Sequence, residues 1–429
     1  MSGARTPHQN TGWGDSYFQV WGGISPSFHK NYTTYVKIRS VATKTVKRAY
    51  KYRFYPTLDQ VQELERTWGC VRVVYNKALD LRTRSWYDLH ENMSYLDTAK
   101  MLTRWRNSEE LGFLSEVSVV PLQQSLRHLQ QAFSNFWRKK SRYPRFKSRK
   151  KSTLSLEYSK SGFRIKDGAV YLARMKEPLN IVWSRECDLQ SVSTITAKRD
   201  KAGRWFVSLL CESQVHPKPI TGKTVGIDLG VKDVIVLSDG RKLNPDKRAQ
   251  KKNEERIKRC QKALSRKQKG SKNWEKAKLK LSRAYARYTD TKRDWLHKTT
   301  TCLVGTYDVL CIEDLNVSGM TRKASGKGRS AKSGLNRSIL SNNLSELRSM
   351  LEYKSDWYGR ECVAIDRFYP SSKRCSECGY INQELTLNDR RWVCSECGAH
   401  HDRDINAAKN IKAAGLAVIA CGDGVRLES

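Results

Sequence analysis

Two C-x-x-C pairs, Cys375/Cys378 and Cys394/Cys397, constrain this chain more than any other feature. Each is short enough to turn both thiols toward one point, and fifteen residues separate the pairs. That spacing matches sites in which two knuckles supply the four thiolates of one tetrahedral zinc ion. A redox pair or a chance spacing is the alternative. With thiolate at all four positions no site is left for water, so the zinc is expected to be structural. Tyr380 and Trp392 are placed to pack beneath it. The other eight of the 12 cysteines are scattered singly, which argues for a reducing cytosol rather than a disulfide framework.

The ribbon sits in a chain of 429 residues with 80 Lys and Arg against 43 Asp and Glu, a formal charge of +37. Charge of that size repels itself and calls for a polyanion. DNA and RNA are the obvious ones, because basic proteins bind them by releasing condensed counterions. A membrane is the rival, but no run of about 18 apolar residues is present to span one, and the basic residues are spread over the whole length. At 38% hydrophobic the chain can build two or three domain cores. Residues 1–20 lack a secretory signal, so the expected location is the cytoplasm, in association with the nucleoid.

The periodicity divides the chain. Residues 1–45 have no sustained pattern and are expected to be poorly ordered. Arg48 to Tyr55 alternates as a strand does and stops at Pro56. Helical spacing begins at Leu58 and recurs over about 94–107 and 119–139. Residues 154–212 return to strand character. This predicts a helical domain (58–147) inserted after the first strand of a small β-barrel (46–57 and 148–220). A second unit follows over 221–370 and 400–418, interrupted by the cysteine ribbon (371–399) and ended by a flexible tail (419–429). Within it, strands are expected at 224–230, 233–237, 309–313 and 362–365. A long basic helical hairpin turns at 269–273, a Gly/Ser/Lys-rich mobile loop covers 318–334, and helices are expected near 338–358 and 404–417.

Three acids stand in unusual settings. Asp228 lies inside the strand Gly226-Ile227-Asp228-Leu229-Gly230, Glu313 ends the apolar run Val309–Ile312, and Asp404 opens a helix. Singly they read as a turn acid, a strand-end acid and a helix cap. Together they make a set of carboxylates suited to two Mg²⁺ ions. One ion would activate a water and the other stabilise a leaving 3′-oxygen, with Asp228 bridging. Asp402 and Asp314 are neighbours expected to support them rather than bind metal.

Between Asp246 and Thr300, twenty Lys and Arg face six Asp and Glu, interspersed with aromatic residues. A second basic and aromatic stretch runs from Trp137 to Lys147. Rings among cations suit single-stranded or folded nucleic acid. The candidate contacts are Arg53, Arg72, Arg138, Lys139, Arg145, Lys147, Lys269, Lys272, His297 and Lys298.

These stretches resemble the TnpB (OrfB) family of transposon-encoded, RNA-guided endonucleases, relatives of the type V CRISPR effectors. The resemblance covers residues 46–415. It rests on Tyr52–Pro56, Cys70–Asn76, Tyr143–Lys147, Gly226–Lys232, Leu296–Lys298, Ile312–Leu315, Phe368–Lys373, the four cysteines and Asp402–Ala408. It implies an α/β multidomain protein: an RNase H-like (RuvC) nuclease domain with an inserted zinc ribbon, preceded by a wedge barrel and a helical recognition domain. It also implies Asp228, Glu313 and Asp404 as the catalytic acids, a guide RNA, and double-stranded target DNA read beside a short motif. The departures lie in the first 45 residues and after Gly415. A guided DNA-binding repressor that no longer cuts would be expected to lack one or more of the acids. A transposase performing strand transfer fits the same acids, and a zinc-ribbon RNA-binding module leaves Asp228 and Glu313 unexplained. Oligomeric state is open.

Overall fold

The computed structural model describes residues 43–150, 152–322, 329–386 and 388–421. Residues 1–42 of the N-terminal segment expected to be poorly ordered and most of the expected tail lie outside these, while Lys44 and Thr45 belong to the first strand. The described chain divides into two compact units, Thr45–Gln214 with Ile257–Ala286, and Val215–Arg256 with Arg287 onward.

The N-terminal unit begins with β1 (Lys44–Phe54), then α1 (Leu58–Leu89), α2 (Tyr95–Arg106) and α3 (Val119–Trp137). Six strands follow: β2 (Ser155–Ser159), β3 (Phe163–Lys166), β4 (Ala169–Leu172), β5 (Ile181–Val182), β6 (Val192–Arg199) and β7 (Trp205–Val215). α1 starts where Thr57 and Gln60 cap each other's backbone N–H groups, and Ser94 and Asp97 do the same for α2. The strands form one sheet in the order β2-β6-β7-β1-β5 and a separate β3–β4 ribbon. The ladder runs from β2 to β5 without a pairing between these two ends among the described residues, in the region expected as a small β-barrel; β5 has only two paired residues to offer. Helices and sheet share a single core. Leu64, Val74, Leu122 and Leu126 from the helices pack with Tyr52, Phe54, Leu156, Ile195 and Leu209 from the strands.

The second unit is built on a five-stranded sheet of β8 (Thr224–Asp228), β9 (Ile235–Leu237), β10 (Lys242–Leu243), β11 (Val309–Glu313) and β12 (Glu361–Ile365). The order is β10-β9-β8-β11-β12. β8, β11 and β12 run parallel; β9 and β10 form an antiparallel extension. Between β10 and β11 lie the long helices α4 (Lys247–Ser265) and α5 (Lys272–Thr306). Then come α6 (Val317–Met320), α7 (Arg329–Ser341) and α8 (Leu344–Trp357). The segment expected as a mobile loop over 318–334 is thus helical at both ends, and 323–328 lie outside the described residues. Asn316 caps α6, and Lys332 and Asn336 of α7 donate back to the carbonyls of Met320 and Thr321. The single helix expected near 338–358 is two, broken where Asn343 takes a left-handed φ of 53°. After β12 come β13 (Arg391–Val393), β14 (His400–Asp402) and α9 (Arg403–Ala420).

Strand periodicity decides what each face meets. Val225, Ile227, Leu310 and Ile312 face a core with Leu296, Leu303 and Val304 of α5 and Leu347 and Leu351 of α8. Val309 and Cys311 face the other way, toward Ile411, Ala414 and Ile419 of α9. A buried ion pair, Arg360 with Asp308, braces the base of this sheet. Asp308 also accepts from the N–H groups of Thr221 and Gly222.

Candidate active site and metal centre

The alternation that sends Val309 and Cys311 toward α9 sends Glu313 there too, and places Asp228 on the same face two residues beyond Gly226. α9 lies so close that an added Cβ at Gly226 would sit 2.0 Å from the Ala408 carbonyl oxygen; at Gly415 one would sit 2.4 Å from Cys311 Sγ. Only glycine permits this contact. One helical turn before Ala408, about 6 Å along the axis, comes Asp404; two residues beyond Gly226, about 6.6 Å along the strand, comes Asp228. The three acids thus meet from two adjacent strands and one helix.

Each acid has its own surroundings. Burial raises the Asp228 carboxyl to about 7, helped by the negative fields of Glu313 and then Asp404, against Arg403 and the Leu229 N–H. Burial also raises Glu313, opposed by Ser371, whose Oγ donates to Glu313 Oε1 at 2.5 Å. Asp404 lies 3.5 Å from Arg390 Nη1. Asp402, not Asp404, is the helix cap, accepting from the Asp404 and Ile405 N–H groups and from Lys242 Nζ. Burial works to raise Asp402, but Lys242 and those N–H groups outweigh it and leave it below the usual carboxylate range. Asp314 is tied to Arg348 and Arg367, which lower it. Ser371, Arg390 and Lys242 were not legible as partners from sequence, because each is distant from its acid along the chain.

The raised Asp228 carboxyl has a consequence for stability. A proton held more tightly in the folded than in the unfolded state favours folding at low pH, and that advantage is lost as pH rises from about 4 through 7. In magnesium-free buffer, Asp228→Asn is therefore expected to raise Tm at pH 8 by at least about 2 °C, the shift of 1 kcal/mol in a domain of this size. The gain should shrink toward pH 5, and thermal melts at both pH values would test it. An unchanged Tm at pH 8 would remove the repulsion.

The four cysteines bring their Sγ atoms within 4.8 Å of one another, and no other group among the described residues does so with three or more metal-ligating side chains. Cys375–Cys397 is 3.7 Å and Cys378–Cys394 is 3.6 Å. Four thiolates about 2.3 Å from a tetrahedral zinc would be about 3.8 Å apart, so the set fits that ion. The two knuckles repeat one geometry: Gly379 and Gly398 take positive φ and donate to the carbonyls of Cys375 and Cys394. Trp392 packs beneath the cysteines as expected. Tyr380 does not; its ring is exposed, and it is the Tyr380 carbonyl that holds the Cys375 N–H. His401 takes the inner place, with Nε2 3.0 Å from Cys375 Sγ and its ring against Trp392. β14 pairs with β13 and runs into α9 without a linker.

The basic candidates fall into two kinds. Arg53 and Arg72 lie partly buried against Phe206 and Trp68. Lys147 packs its ammonium 3.9 Å from the Tyr75 ring, and burial lowers its pKa. Arg138, Lys139 and Arg145 are exposed beside the exposed rings of Trp137 and Phe146. Lys269 and Lys272 are exposed about the turn between α4 and α5, and His297 and Lys298 are exposed on α5, where Lys298 pairs with Asp294 at 2.8 Å.

A mixed sheet that presents two acids to a helix carrying a third, with a four-cysteine cluster leading into that helix, is an α/β arrangement with a site fit for a metal ion. Residues 208–324 match the OrfB family described as "Probable transposase". Residues 345–411 match the "Cas12f1-like, TNB domain", and 45–91 a "Helix-turn-helix domain", a stretch that here is β1 and the single helix α1. A Streptomyces pristinaespiralis protein with the provisional name RNA-guided DNA endonuclease is 53% identical over 382 residues, 89% of this chain and 92% of that one. The Escherichia coli protein InsQ, with the same provisional name, is 35% identical over 391 residues, 88% and 95% of the two chains. The fold is that of the Cas12f1 chain in a complex with sgRNA and target DNA (TM-score 0.53, 14% identity, 86% of this chain and 99% of that one). The chain belongs to the OrfB (TnpB) family. Among its described residues no helix is long and apolar enough to cross a membrane.

Proposed function

We propose that this chain is a transposon-associated, RNA-guided DNA endonuclease, acting at the nucleoid, that hydrolyses target DNA at an RNase H-like (RuvC-type) centre of Asp228, Glu313 and Asp404. The observation that carries this reading is the convergence of the three acids on the face of the sheet covered by α9, a place where unneutralised carboxylates are costly. The sheet order, with an antiparallel extension on one side of β8 and two parallel strands on the other, supports the RNase H-like assignment.

The donor set is three hard carboxylate oxygens, which suits Mg²⁺. In this reading Asp228, Glu313 and Asp404 would hold two such ions. Bound magnesium would supply Lewis-acid activation of a water and neutralise charge on the phosphate. The chain's own groups prepare the place: Asp228 feels the charges of both other acids, Ser371 donates to Glu313, and Asp402 caps the helix that presents Asp404. Zinc at the cysteines would hold the ribbon and take no part in the chemistry.

The exposed cluster of Arg138, Lys139 and Arg145 with Trp137 and Phe146 suits stacking and backbone contact with RNA. Lys269, Lys272, His297 and Lys298 are proposed as further phosphate contacts. Arg53, Arg72 and Lys147 are proposed to shape that surface through their rings. In this reading the protein grips the guide and reads a short motif in the double-stranded target, while base pairing selects the sequence.

The test is to purify the protein with its copurifying RNA and exchange the guide segment. Cleavage is expected to move to DNA matching the new guide. Cutting that stays at the old site, or proceeds without RNA, would remove guidance. The family description "Probable transposase" favours strand transfer as a second reading; joined rather than hydrolysed products in the same assay would establish it.

A further inference from the structure

We propose that Ser371 is a positioning residue for Glu313, and that Asn406 and Asn410 anchor it, with the first cysteine knuckle, to the helix that carries Asp404. This rests on the reading of Asp228, Glu313 and Asp404 as the nuclease centre.

Ser371 is buried at the base of the ribbon, 7% exposed. Its hydroxyl donates to Glu313 Oε1 at 2.5 Å, which stops rotation of the carboxylate about its last bond. Ser371 itself is held by its main chain: its carbonyl accepts from Asn410 Nδ2 at 2.8 Å. Asn410 also donates to the Arg374 carbonyl at 2.6 Å, and Asn406 Nδ2 donates to the same oxygen at 2.7 Å. Asn406 Oδ1 accepts the Ser376 N–H at 2.9 Å. One side-chain amide therefore grips the peptide groups on both sides of Cys375.

The two asparagines are one turn apart on α9 and 1% and 4% exposed. A buried primary amide left unpaired is costly, so the arrangement is held as a unit. Asp404 lies two residues before Asn406 on the same helix. The base of the ribbon thus fixes Glu313 on β11 relative to Asp404 on α9, and the cysteine cluster closes the far end of the segment that does so. Groups that orient metal-binding carboxylates by hydrogen bonds are commonly worth about 10- to 100-fold in metal affinity or activity. A serine that merely filled space would not show this, nor would its effect depend on the hydroxyl.

The experiment compares Ser371→Ala and Ser371→Thr with the unsubstituted protein, each in complex with copurified RNA. Single-turnover cleavage is followed against Mn²⁺ concentration, alongside zinc content and target binding. Ser371→Ala is expected to slow cleavage about 10- to 100-fold and to raise the Mn²⁺ needed for half-maximal rate. Ser371→Thr, which keeps the hydroxyl, should recover most of both. All three should retain zinc and bind target equally. A Ser371→Ala protein with unchanged rate and Mn²⁺ dependence overturns the proposal. So does loss of zinc in that variant, or a threonine variant as impaired as alanine, since either makes the role structural. Asp228→Ala run alongside separates the two readings: if it cuts normally the nuclease centre itself is wrong, and the proposal with it. If Asp228→Ala is silent and Ser371→Ala is normal, only the positioning role falls.

Discussion

Asp228→Ala is expected to abolish cleavage, a loss on the order of a thousandfold or more, while the protein–RNA complex still binds its target. Asp228 lies on the strand next to that of Glu313 and feels the charges of both other acids. In the proposed reading, removing it takes away a ligand of the magnesium ions. Binding should survive because, in the proposed reading, specificity lies in base pairing and grip in the basic surface. Three carboxylates without metal repel phosphate, so removing one brings no electrostatic loss to metal-free binding. Glu313→Ala and Asp404→Ala should behave alike. Cleavage gels and filter binding on the same preparations would decide it; a variant that cuts within tenfold of the original has lost no metal ligand.

The second large effect is expected at the ribbon. Cys394→Ser or Cys375→Ser should lose zinc and most of the soluble yield. Structural zinc contributes about 10–16 kcal/mol of apparent binding free energy in small zinc-folded peptides. The core beneath the cysteines is too small to replace that: Leu385 and Trp392 are the main buried apolar side chains there. Cys375 and Cys394 are buried whereas Cys378 and Cys397 are exposed, so the inner pair should be the less tolerant. Elemental analysis gives the metal and its ratio to protein; protein without zinc would refute the assignment of the four thiols.

How much of this was written in the sequence depended on distance along the chain. The knuckles are local, and their spacing alone brought four thiols together. Asp228 and Glu313 stood out because one lies inside an apolar run and the other ends one, and Asp404 because it opens a helix; the nuclease role is the proposal made from them. α1 to α3 followed from apolar spacing. β2 and β6 fell within the stretch read as strand, 154–212, but were not singled out there as separate strands; their bounds come from the pairing of β6 with β2 and β7. The break at Asn343 was missed because helical spacing continues through it. Ser371, Arg390 and Lys242 were invisible for a different reason: nothing in a serine or a surface cation announces that a carboxylate 58, 14 or 160 residues away will accept its proton.

The core shared by sheet and helices in the N-terminal unit limits how this chain could be made smaller. Excising 58–147 as though it were a detachable module would bare Tyr52, Phe54, Leu156 and Ile195, all of them now almost wholly enclosed. A shortened version would have to re-cover that sheet with new apolar side chains. Length is more safely removed at exposed turns, such as the one between α4 and α5, where backbone and side chains already meet water.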